Sequence, residues 1–277
     1  MNQKKKIGLC VGIPVGVIAL ALAAYFLFYP LIMIGQGNYA VYVNMYGVSE
    51  YEYEGDWFSP MESYAFSGCE SLEHVTINGY VTDSNKTYRQ FFCCSNLKTV
   101  TFGDGVWMQH VSNGMFTGCY NLESIVLPDM VSEIRWGAFD GCSKLTEMKL
   151  PEDLNRIEDY AFHNCIGIKE IDVPDKTVSI GSDAFSGCTS LEKVTIPKSV
   201  TLIDFNAFAN CPNLETIRYE GTMAQWSMIG DNDLSGKRNL LGGELNGETS
   251  TTGAVLIVCT DGLLAIEPGM KRAVRIN

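Results

Sequence analysis

Seven phenylalanines, Phe66, Phe91, Phe116, Phe139, Phe162, Phe185 and Phe208, recur along the chain at intervals of 25, 25, 23, 23, 23 and 23 residues. Each belongs to one unit: an apolar residue, Ala-Phe beginning four residues later, a Cys three after the Phe, an apolar residue three after that, then an apolar-x-apolar pair often closed by Pro. The cleanest copies are Ala138-Phe139 with Cys142, Leu145, Met148, Leu150 and Pro151; Ala161-Phe162 with Cys165, Ile168, Ile171, Val173 and Pro174; and Ala184-Phe185 with Cys188, Leu191, Val194, Ile196 and Pro197. Phe91 and Phe116 follow Gln90 and Met115 rather than Ala, so their copies are the degenerate ones. A unit this short cannot enclose a core, so its repeated apolar positions must be buried by stacking one copy on the next. That restricts the chain to a solenoid. The stretch Ile125-Val126-Leu127-Pro128 alternates like a short strand whose Pro ends the ladder for want of an N–H. Strands repeating at a fixed period lie side by side in parallel, at roughly 4.8 Å per coil. Phe162, in a middle coil, is expected to be covered from both sides, and Phe66, near the end of the array, less fully.

Seven of the ten cysteines, Cys69, Cys94, Cys119, Cys142, Cys165, Cys188 and Cys211, occupy the same position of every copy. Equivalent positions on stacked coils direct their Cβ atoms the same way, which is poor geometry for disulfides. They are expected to form a buried ladder of small apolar side chains with weak S–H donors. Cys93 and Cys259 fall outside the ladder and are the better candidates for oxidation. With no C-x-x-C pair anywhere, a thiolate metal site is not expected.

The I-x-x-x-A-F-x-x-C-x-x-L-x-x-I-x-L-P unit resembles the BspA-type leucine-rich repeat, densely over residues 61–219. Ile217-Arg218-Tyr219-Glu220-Gly221-Thr222, then Gln225-Trp226, Ile229, Asn239-Leu240 and Val258-Cys259-Thr260-Asp261-Gly262 resemble the cap that closes such arrays, which assigns 220–277 to a C-terminal cap. The resemblance implies an α/β-type solenoid: a right-handed leucine-rich-repeat coil with a parallel β-sheet, mostly strands and loops. It further implies a cell-surface or secreted protein that binds other proteins, with no catalytic residue and no cofactor to carry over.

After the basic tail of residues 1–6, holding Lys4, Lys5 and Lys6, residues 7–34 contain no charged residue. At roughly 1.5 Å per residue a helix of that length exceeds the ~30 Å hydrocarbon thickness, so one transmembrane helix is expected before the solenoid. A cleaved signal is disfavoured because the small residues Ala19-Leu20-Ala21-Leu22-Ala23 run on into Tyr25-Phe26-Leu27-Phe28-Tyr29. The lysines precede the span, which places the N-terminus in the cytoplasm and the repeats outside a plasma membrane crossed once. Residues 35–60, rich in tyrosine and acid, form a juxtamembrane spacer and N-terminal cap, with Tyr39, Val41, Val43 and Met45 alternating like a strand.

The chain carries 20 basic and 32 acidic residues, and three of the bases lie in the N-terminal tail. So acidic a body is a poor nucleic-acid binder. His74, His110 and His163 lie in no metal-ligating spacing and leave little for general acid/base chemistry. Asp231-Asn232-Asp233-Leu234-Ser235-Gly236 begins like a calcium loop, but Gly242 stands where a bidentate acid is required. Asn85-Lys86-Thr87 is the one glycosylation sequon.

Two surfaces remain as candidates for recognition. Residues alternating away from the core form two columns: His74, Thr99, Ser124, Glu147, Glu170, Lys193 and Thr216, and Thr76, Thr101, Val126, Lys149, Asp172, Thr195 and Arg218. Their charged half, Glu147, Lys149, Glu170, Asp172, Lys193 and Arg218, is the better docking face. The second candidate is aromatic: Trp136 and Phe205 stand at equivalent positions two after the repeating Ile, with Tyr160 one position later and Trp107 earlier. The expected function is a membrane-anchored module that recognises an extracellular protein or glycan. The alternative is a structural or self-associating envelope solenoid without an outside ligand.

Overall fold

The computed structural model describes residues 32–34, 41–43, 49–55, 61, 63–82, 88–229, 254–266 and 273–276. Strands β1 (Ile32–Ile34) and β2 (Val41–Val43) pair antiparallel. This corrects the expected span, whose last three residues are extended rather than helical. Branching at Cβ in Ile32 and Ile34 favours that state, and the backbone groups a helix would need face β2 instead. Residues 7–31 of the expected span, the calcium-like loop and the sequon lie outside the described residues. Among the described residues no helix is long and apolar enough to cross a membrane.

The coil path visits two parallel sheets in turn. On the first sheet, β3 (Glu50–Gly55) pairs with β4 (His74–Thr82), and β4 with β5 (Thr99–Phe102). The chain then passes β6 (Trp107–Met108) and β7 (His110–Val111) and returns to the first sheet as β8 (Ser124–Ile125). After β9 (Glu133–Ile134) and β10 (Arg156–Ile157), β11 (Glu170–Asp172) lies on the first face and β12 (Ser179–Ile180) on the second. The pattern repeats with β13 (Lys193–Ile196), β14 (Leu202–Ile203) and β15 (Thr216–Tyr219). The second sheet runs β7-β9-β10-β12-β14, parallel throughout. Its buried apolar members are Val111, Ile134, Ile157, Ile180 and Ile203, each four before the residue that precedes a Phe, and His110 is buried beside Val111. Two-residue strands are too short to show alternation, which is why the sequence unit betrays one strand per coil and hides the other.

The first sheet has two parts. Ser124 makes an isolated bridge to Glu147, and the ladder resumes at β11, where Glu170 pairs with Lys193. Glu147 and Glu170 stand at successive copies of one position across the break, and like charges at neighbouring positions disfavour pairing.

The third side of each coil is the turn around Phe. The residues two before and two after every Phe are left-handed, with φ between 53° and 77°. Between them, alternate N–H groups donate to the next coil: Tyr160 to Ser182 at 2.9 Å, Phe162 to Ala184 at 2.7 Å and Asn164 to Ser186 at 2.8 Å. Inside, the seven Phe rings form one stack with successive centroids 5.0 to 5.5 Å apart and every ring fully buried. Phe66 is no less covered than Phe162, contrary to its place near the end of the array. Tyr51 and Tyr53 of β3, with ring centroids 5.0 and 6.5 Å away, stand where a preceding coil would be.

The other end is closed by helix α1 (Met223–Met228) and three strands. Thr222 and Gln225 make a reciprocal capping box, and buried Trp226 meets Tyr219 at 5.3 Å. Strand β16 (Val255–Cys259) continues the parallel sheet beside β15, and β17 (Gly262–Ile266) and β18 (Val274–Ile276) add antiparallel strands. The Asp261 carboxylate accepts from the Met223 N–H at 2.7 Å, and Thr260 donates to the Gly221 carbonyl from both its N–H and its hydroxyl.

Candidate recognition surfaces

The described cysteines are all free thiols. From the second copy onward, each ladder Cys donates its S–H to the Phe carbonyl of the preceding coil, as Cys94 does to Phe66 at 2.9 Å, Cys165 to Phe139 at 3.1 Å and Cys211 to Phe185 at 3.2 Å. Burial pushes the Cys142, Cys165 and Cys188 thiols far up and that of Cys211 up to about 12, which suppresses the reactive thiolate. Outside the ladder, Cys93 is half-buried and Cys259 is buried, and burial raises both thiols. Beside Cys93 the Arg89 guanidinium acts the other way, but burial outweighs it and the thiol is not activated. Among the described residues no three His, Cys, Asp or Glu side chains converge as a metal site.

The register of the first sheet arranges the charged residues in columns. Glu170, Lys193 and Thr216 are successive partners in one column, and Asp172, Thr195 and Arg218 in the next. The Lys193 ammonium lies 3.4 Å from the Glu170 carboxylate, while Lys149 reaches Glu152 at 3.4 Å on its own coil. Exposed pairs of this kind contribute little to stability, so the face is free to be shaped by a ligand. Just past the end of β8, Val126 is an exposed apolar side chain beside it.

Trp136 and Phe205 are not on that face. They flank the second sheet, three coils apart, with Asp159 and Ser182 at the equivalent positions between them, and Trp136 meets Tyr160 at 5.9 Å. The eight residues singled out from the sequence therefore define two separate surfaces. The flank also carries residues that the sequence reading missed. An open concavity of about 550 Å³ lies over β10, β12 and β14, with Trp136, Val178 and Leu202 as its exposed apolar walls. Arg156, Glu158, Asp159 and Asp204 supply its charges. Gly181 lines it, at the position where the other coils have Arg135, Glu158 and Asp204. A Cβ there would come within 2.5 Å of the Asp159 nitrogen. Aligning the copies would have exposed this missing side chain.

Three carboxylates of the concavity are fixed by backbone donors. Glu158 accepts from the Trp136 N–H at 3.0 Å, Asp159 from the Ser182 N–H at 2.8 Å and Asp204 from the Phe205 N–H at 2.7 Å. Burial is the main influence on the Glu158 carboxyl and raises its pKa, outweighing the Trp136 N–H.

A parallel solenoid of stacked short coils, with ordered exposed columns and a sealed core, defines a repeat protein of the interaction class. The family model for the BspA type leucine-rich repeat region matches residues 55–108 and 109–232 in six copies, and the chain belongs to that family. Among solved structures it is similar to a leucine-rich repeat protein of T. pallidum, at 27% identity and a TM-score of 0.41, over 60% of this chain and 62% of that one. It is also similar to a leucine-rich repeat protein from Bacteroides ovatus, at 28% identity and a TM-score of 0.48, over 58% of this chain and 46% of that one. The chain thus spans less than two thirds of either protein's length. No curated protein matches it.

Proposed function

We propose that the protein is a cell-surface recognition module that binds another protein through the charged half of its first sheet, tethered by its apolar N-terminal segment. The observation that carries this reading is the register itself, which sets Glu170, Lys193, Asp172 and Arg218 in adjacent exposed columns on a rigid, fully packed core. The sheet fixes the backbone position of each charge, so their spacing is set before a partner arrives, and such complementarity gives specificity. The membrane tether is supported by residues 7–31, which remain uncharged and longer than the roughly 20 residues a spanning helix requires.

The test is capture of cell-surface proteins by full-length protein in nonionic detergent, beside the double variant Asp172→Lys/Arg218→Glu. A partner bound by the native protein and lost by the variant is the expected result. A partner retained unchanged by the variant would remove the first sheet from the reading. End-to-end self-association is favoured by one observation: β18 ends the sheet with all three residues exposed, Val274 and Ile276 among them. Light scattering that shows concentration-dependent growth without any foreign partner would support that alternative.

A further inference from the structure

The concavity on the second sheet is a different kind of surface from the columns of the first. Four of the exposed large hydrophobics, Trp136, Val178, Leu202 and Phe205, lie along the second-sheet side of the coils. Scattered apolar residues need no explanation, but an aligned set around a dent marks an interaction site. Trp136, 43% exposed, with Tyr160 and Arg156 beside it, supplies the residue types that dominate binding hot spots.

Charge then selects the occupant. Glu158, Asp159 and Asp204 line the concavity against a single base, Arg156. Nearby, Arg135 is taken up by Glu133 at 3.0 Å and does not alter that balance. Each of the three carboxylates is held in place by one oxygen on a backbone N–H, so the fold does not need the other oxygen. An indole bordered by fixed carboxylates suits a cation, because the ring face attracts positive charge and the acids pair with it. An anionic ligand is repelled by the same groups, and a neutral sugar could stack on Trp136 but would gain nothing from the excess negative charge.

We infer that this concavity, lined by Trp136, Glu158, Asp159 and Asp204 over Gly181, is a second binding site that takes a basic peptide segment of a partner protein, with an Arg or Lys side chain against the indole. The inference rests on the reading of the chain as a protein-binding module but assigns a surface distinct from the first sheet. The net charge of −12 assists capture by steering positive segments toward the molecule.

The test uses full-length protein in nonionic detergent and fluorescence anisotropy with a short labelled peptide rich in Arg and Lys, a matched Glu- and Asp-rich peptide, and chitohexaose as a neutral sugar competitor. The basic peptide should bind and the acidic one should not, and binding should weaken severalfold between about 50 and about 300 mM salt. Trp136→Ala should weaken it about tenfold, as loss of a hot-spot aromatic does. Asp204→Asn keeps an oxygen to cap the Phe205 N–H, so it should weaken the peptide severalfold without altering thermal unfolding. Glu170→Gln and Asp172→Asn on the first sheet should leave the peptide unaffected. Absence of binding, indifference to Trp136→Ala, or displacement by the sugar would overturn the inference. Loss of the peptide through the first-sheet variants would overturn it too, while leaving the proposed function standing. Peptide binding through Trp136, with no partner captured by the first sheet, would sink that assignment and keep this one.

Discussion

At the scale of single residues, the Cys ladder shows how one atom can serve both packing and polarity. The S–H of Cys165 fills space beside the Phe stack and donates to the Phe139 carbonyl at 3.1 Å, so replacing it removes volume and a weak bond together. Cys165→Ala should cost on the order of 1 kcal/mol in urea unfolding. The native thiols at Cys142, Cys165 and Cys188 should resist alkylation until the chain unfolds, then react together; mass spectrometry of native disulfides among them would contradict the geometry. His163 gives a pH signature. Its imidazole meets the Asp140 carboxylate at 2.9 Å, and that hydrogen bond raises its pKa above the usual 6.5, with burial opposing and the charges of Asp140 and Asp183 assisting. A folded-state pKa above the unfolded one means the stabilisation is complete below about pH 6.5 and disappears as pH rises through the raised value. The thermal midpoint should therefore fall as pH rises above about 6.5, and His163→Gln should flatten that fall. An identical pH slope in the variant would refute the assignment.

At the scale of the element, the Phe turn explains both what the sequence disclosed and what it concealed. Ala, Phe and Cys repeat because each has a fixed neighbour in the next coil, and such side chains can be recognised by spacing alone. The two left-handed positions have an equally strict backbone requirement but hold Gly, Asn, Asp, Tyr, Arg or Cys in different coils, so no single letter marks them. Gly68 isolates the backbone cost: its φ is +72° and an added Cβ would meet nothing within 4 Å. Gly68→Ala should destabilise by about 1 kcal/mol, all of it conformational. A cost near zero would show that the turn relaxes. The stack itself makes a second prediction. Phe162→Ala should cost about 3 to 5 kcal/mol. Phe66→Ala should match it, because Tyr51 at 5.0 Å supplies the cover that a preceding coil supplies elsewhere. If Phe66→Ala costs less than half as much, β3 does not pack on the stack in solution. The same pair explains why the sequence reading erred on Phe66: residues 35–60 disclose tyrosines, but not that two of them complete the core.

At the scale of the whole molecule, the solenoid was legible because its period is written seven times, whereas its recognition surfaces are written once. Glu170, Asp172, Lys193 and Arg218 could be placed in columns by alternation, and the register pairs them so. The concavity is lined by polar and apolar residues that stacking brings together from successive coils, a juxtaposition that hydrophobic periodicity does not record. The proposed membrane tether makes a prediction at this scale, argued from charge near the N-terminus. Lys4, Lys5 and Lys6 precede the uncharged segment, so if that segment is the proposed tether the positive-inside rule has the repeats face outward. A broad-specificity protease added to intact cells should then remove an epitope tag fused after residue 277 and spare a short membrane-bound fragment. The tag should survive protease if the orientation is reversed and be cut only after the cells are permeabilised. Recovery of soluble protein beginning near residue 25 would instead make the apolar segment a cleaved signal, and would release the recognition surfaces from the cell altogether.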